Sequence, residues 1–476
     1  MSRKLAGNAL IWSSVDNFMR RGVQFIVSVV LARLLAPEEF GTIALLYLFT
    51  GLASAFVDTG FSSALIQRQD VTREDESTVF WFNLSMGAVA SLLLFLAAPH
   101  IADFYQVPIL RPLTVVMALN IFVGSLGSIH GALLTKRLDF RTLTQVGALA
   151  GILSSGFAIL LAWDGYGVWA LAFQALSATV LATLFIWFLN PWRPTWTFKV
   201  ASARKLFGFG GYMMGATLLG IVYDRAYTLL IGRIYGTSAL GFYSRADTMM
   251  HQPADFLTSV LSSVSFPILS SVSNDKDRLR RATRQIVRTT MLINVPALIG
   301  LSAVAKPLTV VLLGPIWSPA APILQVLCLA GAIWPLHIIN LTVLMAQGHS
   351  QLFFRIEIVK RVLGLTVLSA SVFFGVMGIA WGQVVFGVAA FGINSYYTRK
   401  YLDYGPIDQL LDILPAACVS ALMWAVLWQF DFSGAPSALR QTLYTVGLGL
   451  ALYVPLISIW QRGDIRELKT LLLSRK

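Results

Sequence analysis

Between Leu10 and Leu35 the chain is apolar on one side only. At about 100° per residue, Ser13, Asp16, Asn17, Arg20, Arg21, Gln24 and Ser28 share an arc of roughly 140°. Ile11, Val15, Phe18, Gly22, Phe25, Ile26 and Val29 take the other side. The stretch is long enough to cross a bilayer, which needs about 20 residues. Two arginines and an aspartate fall at mid-depth, where an isolated cation costs several kcal/mol or more. Such groups face a protein interior or a wet cavity, not lipid. The pattern predicts a helix that is one wall of a water-filled, cationic cavity.

The apolar runs predict fourteen helices, at about 10–35, 40–66, 77–98, 110–134, 142–163, 166–189, 205–232, 238–267, 284–313, 320–346, 352–375, 378–398, 408–430 and 440–461. Tight links fall at Ala36-Pro37-Glu38-Glu39, Trp163-Asp164-Gly165-Tyr166 and Gly236-Thr237-Ser238, where Pro and Gly end helices. The longest outer links are roughly Pro99 to Ile109 and Lys306 to Pro319.

An internal repeat is visible. Arg33-Leu34-Leu35-Ala36-Pro37-Glu38-Glu39-Phe40-Gly41 answers to Arg233-Ile234-Tyr235-Gly236-Thr237-Ser238-Ala239-Leu240-Gly241, at an offset of 200. In both copies an amphipathic helix precedes a short outer turn and a helix with a polar stripe follows. The expected organisation is an all-α membrane protein of about fourteen helices around a central cationic cavity. Residues 1–190 and 204–400 form two pseudo-symmetric six-helix lobes, 408–461 the last two helices, and 462–476 a cytoplasmic tail. Transporters commonly bind at the interface between such repeats.

Composition agrees with the pattern. Hydrophobic residues make up 56% of the chain and charged residues 12%, about half the charged share of a soluble domain. The net charge of +13 could suggest nucleic acid in a soluble protein, but here the basic residues cluster at span ends. With a cytoplasmic N-terminus, 27 of the 36 Lys and Arg fall on the cytoplasmic side, among them Arg355, Lys360 and Arg361, and 5 on the other. That asymmetry predicts both termini cytoplasmic. The basic run Arg278 to Arg288 reads as a lipid-facing cytoplasmic link. Arg3 and Lys4 precede an apolar run as in a signal peptide, but Asp16 and Arg20 interrupt it, so retention is expected. Cys328 and Cys418 lie in apolar spans and read as buried packing residues with no disulfide.

The remaining four basic residues, Arg20, Arg21, Arg225 and Arg245, lie inside spans. The planar, permanently charged fork of guanidinium suits phosphate, so they are candidates for an anionic headgroup. The competing role is structural: Asp16 pairs with Arg20 at i, i+4, and Asp224 or Asp247 neutralises a neighbouring Arg. On the eighth helix Arg245, Asp247, Thr248, His251, Gln252, Asp255, Thr258, Ser259 and Ser262 fill about half the wheel, as on a wall wet on one side. His251 and Asp255 could relay protons or bind a coupling cation, or simply form a solvated face near the cytoplasmic mouth; Asp58 is similar. Asn17, Gln24, Asp224 and Asp247 complete the polar cavity set. Asn294, Pro296, Pro335 and Asn340 mark kinks or interhelical hydrogen bonds. Trp81, Trp187, Trp424, Trp428 and Trp460 suit interfacial anchors. There is no Walker loop, zinc-spaced His or Cys set, or nucleophile elbow, so neither an enzyme nor a metal site is expected.

Val30-Leu31-Ala32-Arg33-Leu34-Leu35-Ala36-Pro37-Glu38-Glu39-Phe40-Gly41, then Asp58-Thr59-Gly60-Phe61 and Ala64-Leu65-Ile66-Gln67, resemble the start of bacterial polysaccharide flippases. These are the Wzx-type, colanic-acid-exporter-like branch of the multidrug/oligosaccharidyl-lipid/polysaccharide exporter superfamily, and the likeness runs the whole chain. The resemblance implies a bacterial inner-membrane protein that carries undecaprenyl-pyrophosphate-linked oligosaccharide to the outer leaflet by alternating access. It implies no cofactor beyond a coupling H+ or Na+, and polysaccharide polymerase and chain-length machinery as partners. Family members have a cationic central cavity, for which Arg20, Arg21, Arg225 and Arg245 are the counterparts here. A cation-coupled drug antiporter ranks below, because cationic drugs favour an acidic cavity. A membrane-integral polymerase or ligase ranks lower still, because it would place catalytic residues in a large outer loop.

Overall fold

The computed structural model describes residues 22–57, 62, 65–66, 71–429 and 437–460. Among the described residues the regular structure is helical, with no strand. We label the helices α1 (Gly22–Leu34), α2 (Pro37–Val57), α3 (Arg73–Tyr105), α4 (Leu110–Lys136), α5 (Phe140–Trp163), α6 (Val168–Leu189) and α7 (Val200–Ser271). They continue with α8 (Lys276–Leu313), α9 (Ala320–Ala346), α10 (Ser350–Ser371), α11 (Gly375–Leu402), α12 (Pro406–Gln429) and α13 (Ala438–Trp460). Ten described helical stretches are long and apolar enough to cross a membrane, with Gln351–Leu402 counted as one. This is a multi-pass membrane protein.

The chain forms two compact units, Met1–Gly241 and Phe242–Lys476. In the first, Leu65, Val79, Phe80, Ile129, Leu133 and Trp192 make a buried cluster. In the second, Leu279, Val287, Met291, Ile339, Val343 and Ile413 do so. Outward faces such as Leu92, Leu93, Phe95 and Leu96 of α3 stay exposed, as a lipid-facing surface requires.

Local chemistry sets the helix ends. Thr72 and Asp75 form a reciprocal capping box, with Asp75 N donating to Thr72 Oγ1 (3.2 Å) and Thr72 N to Asp75 Oδ2 (3.0 Å). Glu74, Asp75 and Glu76 add negative charge where the helix dipole favours it. Asp139 caps α5 and Asp275 caps α8 more simply, each accepting from the backbone N–H three residues on. Pro99 is a weaker stop than the expected helix 77–98 implies, since α3 runs through it to Tyr105, whereas α8 passes Pro307 and ends at Leu313 as expected. The expected link from Pro99 to Ile109 is therefore short, because the preceding helix continues past the proline. Between the expected seventh and eighth helices there is no loop. α7 breaks only at Gly236, whose φ of 84° suits glycine.

Residues 190–199 lie along the start of α3. Trp192 Nε1 donates to Glu76 Oε2 (2.6 Å), Thr195 N to Ser77 Oγ (3.0 Å), and Trp81 Nε1 to Thr195 O (2.8 Å). Lys199 pairs with Glu74, which holds its ammonium above the ordinary lysine range. Trp81 and Trp187 are thus hydrogen-bonded packing residues, while Trp428 and Trp460 are exposed.

Three further positions refine the sequence-based picture. Cys328 is buried, but Cys418 is exposed on α12, so only one of the two packs inside. Lys360 belongs to no cytoplasmic link: it is buried within α10. The basic run 278–288 is only partly a lipid-facing surface, because Arg278 pairs with Asp275 and Arg284 and Arg288 turn to a buried carboxylate.

Candidate functional site

In the second half of α7, residues 237–271, Arg245, Asp247, Thr248, His251 and Gln252 stay at least partly exposed while Ala246, Met249 and Met250 are buried. Arg245 is half-buried, with its Nε shielded from solvent. Asp247 and His251 pair across one turn, Nε2 to Oδ1 at 3.6 Å, each about one-third exposed. Asp255 lies on this helix, its side chain outside the description. On the first half, 200–235, Asp224 and Arg225 are adjacent and exposed. Gln24 is exposed on α1. Asp16, Asn17, Arg20, Arg21 and Asp58 lie outside the described residues. Of the expected set, the structure thus joins Asp247 to His251 and leaves Arg245 six residues before His251 on the same helix.

His251 leads into a polar interior in the second unit. Its ring meets Trp334 of α9 edge-on at 6.2 Å, and Trp334 meets His337 at 6.1 Å. His337 Nδ1 lies 3.3 Å from Asn394 Nδ2 of α11. Thr398 donates to Asn340 Oδ1 (2.8 Å), and Asn340 and Gln409 exchange amide bonds of 2.9 and 2.8 Å. Most polar groups buried in this way find a partner, although Asn394 Oδ1 has none.

Asn294 and Pro335 explain one another. Proline has no N–H for the carbonyl four residues back, which here is Gly331. The Asn294 amide reaches across from α8 to Gly331 O (3.3 Å) and Ala332 O (3.0 Å). The sequence-based expectation of a kink or interhelical bond is met with a mechanism.

Two ionic clusters were not foreseen. Asp412 of α12, 1% exposed at its side chain, accepts from Arg284 Nε (2.7 Å) and Arg288 Nη2 (2.6 Å) of α8 and from Tyr404 OH (2.9 Å). Burial, followed by the charge of Asp412, pushes the Tyr404 phenol far above its ordinary range. Nearby, Lys276 pairs with Asp403 and holds that carboxyl below its usual range. The second cluster is Lys360 with Glu357, Nζ to Oε1 at 2.5 Å on α10. The available signal was an acid, Asp412, one turn past Asp408 in the apolar run 406–429 and an i, i+3 acid–base pair inside an apolar helix. Among the described residues no group of three or more His, Cys, Asp or Glu could hold a metal ion.

Chemically, the arrangement offers half-buried guanidinium and imidazole groups on a helix with one polar side, and a proton-capable interior behind it. The chain is similar to the succinoglycan biosynthesis transport protein ExoT of Rhizobium meliloti, at 26% identity over 98% of this chain and 95% of that one. It is also similar to the teichuronic acid biosynthesis protein TuaB of Bacillus subtilis, at 26% over 89% and 88% of the two chains. The lipopolysaccharide biosynthesis protein WzxC of Escherichia coli K12 matches at 25% over 78% and 76%. In fold it resembles the lipid II flippase MurJ in an inward closed conformation, with TM-score 0.77, 16% identity, 96% of this chain and 100% of that one. An inward-facing multidrug resistance MATE family transporter of the MOP superfamily follows, with TM-score 0.60, 15% identity, 89% and 99%. Residues 30–322 match the family described as polysaccharide biosynthesis protein, and the chain belongs to that family.

Proposed function

We propose that this protein translocates undecaprenyl-pyrophosphate-linked oligosaccharide from the cytoplasmic to the outer leaflet of the bacterial inner membrane, for surface or exopolysaccharide synthesis. The observation that carries this is the family membership, with near full-length likeness to a named polysaccharide transport protein. The fold likeness to a lipid II flippase supports it, because lipid II names a lipid-borne cargo. Fourteen helices form two six-helix lobes and a final pair, both termini are cytoplasmic, and the lobes alternate access around a cationic cavity. Arg20, Arg21, Arg225 and Arg245 hold the pyrophosphate, because permanently charged forks match its oxygens. The sugars lie among Ser, Thr and Gln side chains while the prenyl tail stays in lipid. Exchange against H+ or Na+ supplies the driving force, and polymerase and chain-length proteins take the product onward.

Complementation of a strain lacking a known polysaccharide flippase tests this. Restored cell-surface glycan supports the function. Normal protein levels without glycan, together with a gain of drug resistance, would transfer the protein to the antiporter class.

A further inference from the structure

Two helices of the second unit bring charge to one edge of the membrane. Residues 289–305 of α8 form an uncharged run of 17, about 26 Å of helix, and 413–429 of α12 form another of 17. A hydrocarbon core is about 30 Å thick. Arg288 and Asp412, each at the head of its run, therefore stand where the core ends and lipid phosphates begin. α13 comes to the same level: Gly449 lies against Met423 and Leu427, so Trp460, about three turns on, reaches the height of Asp412 and is exposed there.

Asp412 takes one edge of each of two guanidiniums. Arg284 donates to it through Nε (2.7 Å) and Nη2 (2.8 Å), and Arg288 through Nε (3.0 Å) and Nη2 (2.6 Å). Among the described residues no hydrogen bond or ion pair engages either Nη1. The Tyr404 hydroxyl donates to the same carboxylate (2.9 Å) and helps to fix it. Two planar forks are thus held in place while both side chains stay partly exposed. The open edge of such a fork matches phosphate oxygens.

Charge decides what fills that edge. Lys276, Arg278, Arg280, Arg281, Arg284 and Arg288 stand against Asp275, Asp277, Asp403, Asp408 and Asp412. Asp275 pairs with Arg278, Asp403 pairs with Lys276, and Asp408 accepts from the Gly405 N–H (2.8 Å). The seam keeps an excess of positive charge. Residues 461–476 carry five more basic side chains and two acidic ones, which adds to the excess instead of cancelling it. Leu411 and Leu422 of α12 are exposed and apolar, as a surface along acyl chains requires. Basic pockets between helices at this level bind anionic headgroups.

We propose that the seam of α8 and α12 is a binding site for an anionic bilayer phospholipid. Its phosphate accepts from Nη1 of Arg284 and Arg288, Asp412 keeps the forks aligned, and the acyl chains run along Leu411 and Leu422. The site is separate from the cargo site proposed above and stands whether or not the protein carries a lipid-linked glycan.

Native mass spectrometry of the detergent-purified full chain, titrated with phosphatidylglycerol, reads the apparent Kd of the first bound lipid. It is expected to be at least fivefold tighter than for phosphatidylcholine of the same chains. Arg284→Gln combined with Arg288→Gln should remove that preference, while Arg278→Gln, whose partner is Asp275, should keep it. Arg284→Lys and Arg288→Lys, made singly, keep the charge opposite Asp412 and serve where the double variant does not fold. Each should weaken phosphatidylglycerol at least threefold, because an ammonium facing Asp412 offers no second planar edge. A preference unchanged in both lysine variants, or lowered as much by Arg278→Gln, overturns the site. A preference that appears only after Asp464→Asn and Glu467→Gln overturns it too, and gives the arginines to residues 461–476. Undecaprenyl phosphate that competes more than tenfold better than phosphatidylglycerol itself would hand the seam to the cargo lipid and overturn the phospholipid assignment.

Discussion

Gly41 and Gly241, two hundred positions apart, share one reciprocal contact within the first unit. A Cβ on Gly41 would strike the carbonyl of Thr237, and a Cβ on Gly241 would strike that of Pro37. Pro37 and Thr237 are themselves separated by the same 200 residues, so the internal repeat meets itself here about a local two-fold axis. Both obstacles are backbone, which cannot swing aside like a side chain.

Gly41→Ala and Gly241→Ala are each expected to destabilise the protein by about 1–3 kcal/mol, the usual cost of overpacking. Gly151→Ala is the control: its Cβ would meet nothing within 4 Å, and alanine favours helix. Thermal unfolding in detergent distinguishes them. Equal midpoints for all three would show that the two turns separate without resistance.

Asp412 accepts from two guanidiniums and a phenol, so it staples α12 to the start of α8. Asp412→Asn removes the charge that orients Arg284 and Arg288. Those arginines are 49% and 35% exposed and can rehydrate, which places the loss near about 2–3 kcal/mol, below that of a fully buried pair. Tyr404→Phe deletes one bond and is expected to cost about 1 kcal/mol. A thermal midpoint for Asp412→Asn within error of the wild type would reduce the cluster to a surface ornament.

The link between Asn294 and Pro335 invites a double-mutant cycle. Asn294→Ala leaves the Gly331 carbonyl buried and unpaired, for about 1–2 kcal/mol. Pro335→Ala restores the backbone N–H that this carbonyl lacks, so the same Asn294→Ala change should cost less in that background. Identical costs in both backgrounds would break the connection.

The Lys276–Asp403 pair sets an acid limit at the turn before α12. Asp403 titrates below its ordinary value in the folded chain, so its contribution is complete above about pH 4 and fades as pH falls through the lowered value. Lys276→Met should therefore lower stability slightly between pH 6 and 8, and the difference from the wild type should shrink as pH falls below about 4, which flattens the acid limb. A loss of stability that stays the same from neutral to acid pH would contradict the assignment.

Periodicity made the long apolar helices legible, because burial against lipid and protein imposes it over twenty residues at a time. Asn294 with Pro335 was legible too, since a proline inside a span frees a carbonyl that something must satisfy. Asp412 was not: its partners lie 124 and 128 residues away, and no local pattern links them. Lys360 was misplaced because Arg355 and Arg361 flank it, and a triple of basic residues reads as a cytoplasmic link until the helix shows which one points inward. Pro99 was taken as a stop, but helices at membrane depth continue through proline when neighbours satisfy the freed groups. At the candidate site, the polar stripe of α7 was readable from its wheel, whereas His337 and Asn394 come together only through the packing of α9 on α11.

Arg245 carries the sharpest functional expectation. It is half-buried on the polar stripe, two residues before Asp247 of the Asp247–His251 pair, where a headgroup oxygen would meet a fork already partly stripped of water. Loss of a charge-assisted hydrogen bond is worth about 1.5–3 kcal/mol, roughly a 10- to 150-fold loss of apparent affinity. Arg245→Ala, at normal protein levels, should abolish complementation of surface glycan, and Arg245→Lys should restore only part, because ammonium keeps the charge but not the planar fork. Arg225→Ala is the informative comparison, since Arg225 is exposed beside Asp224. If the Arg245 variants export like the wild type while Arg225→Ala fails, the headgroup contact belongs to the first half of α7, and Arg245 is a structural partner of its own helix.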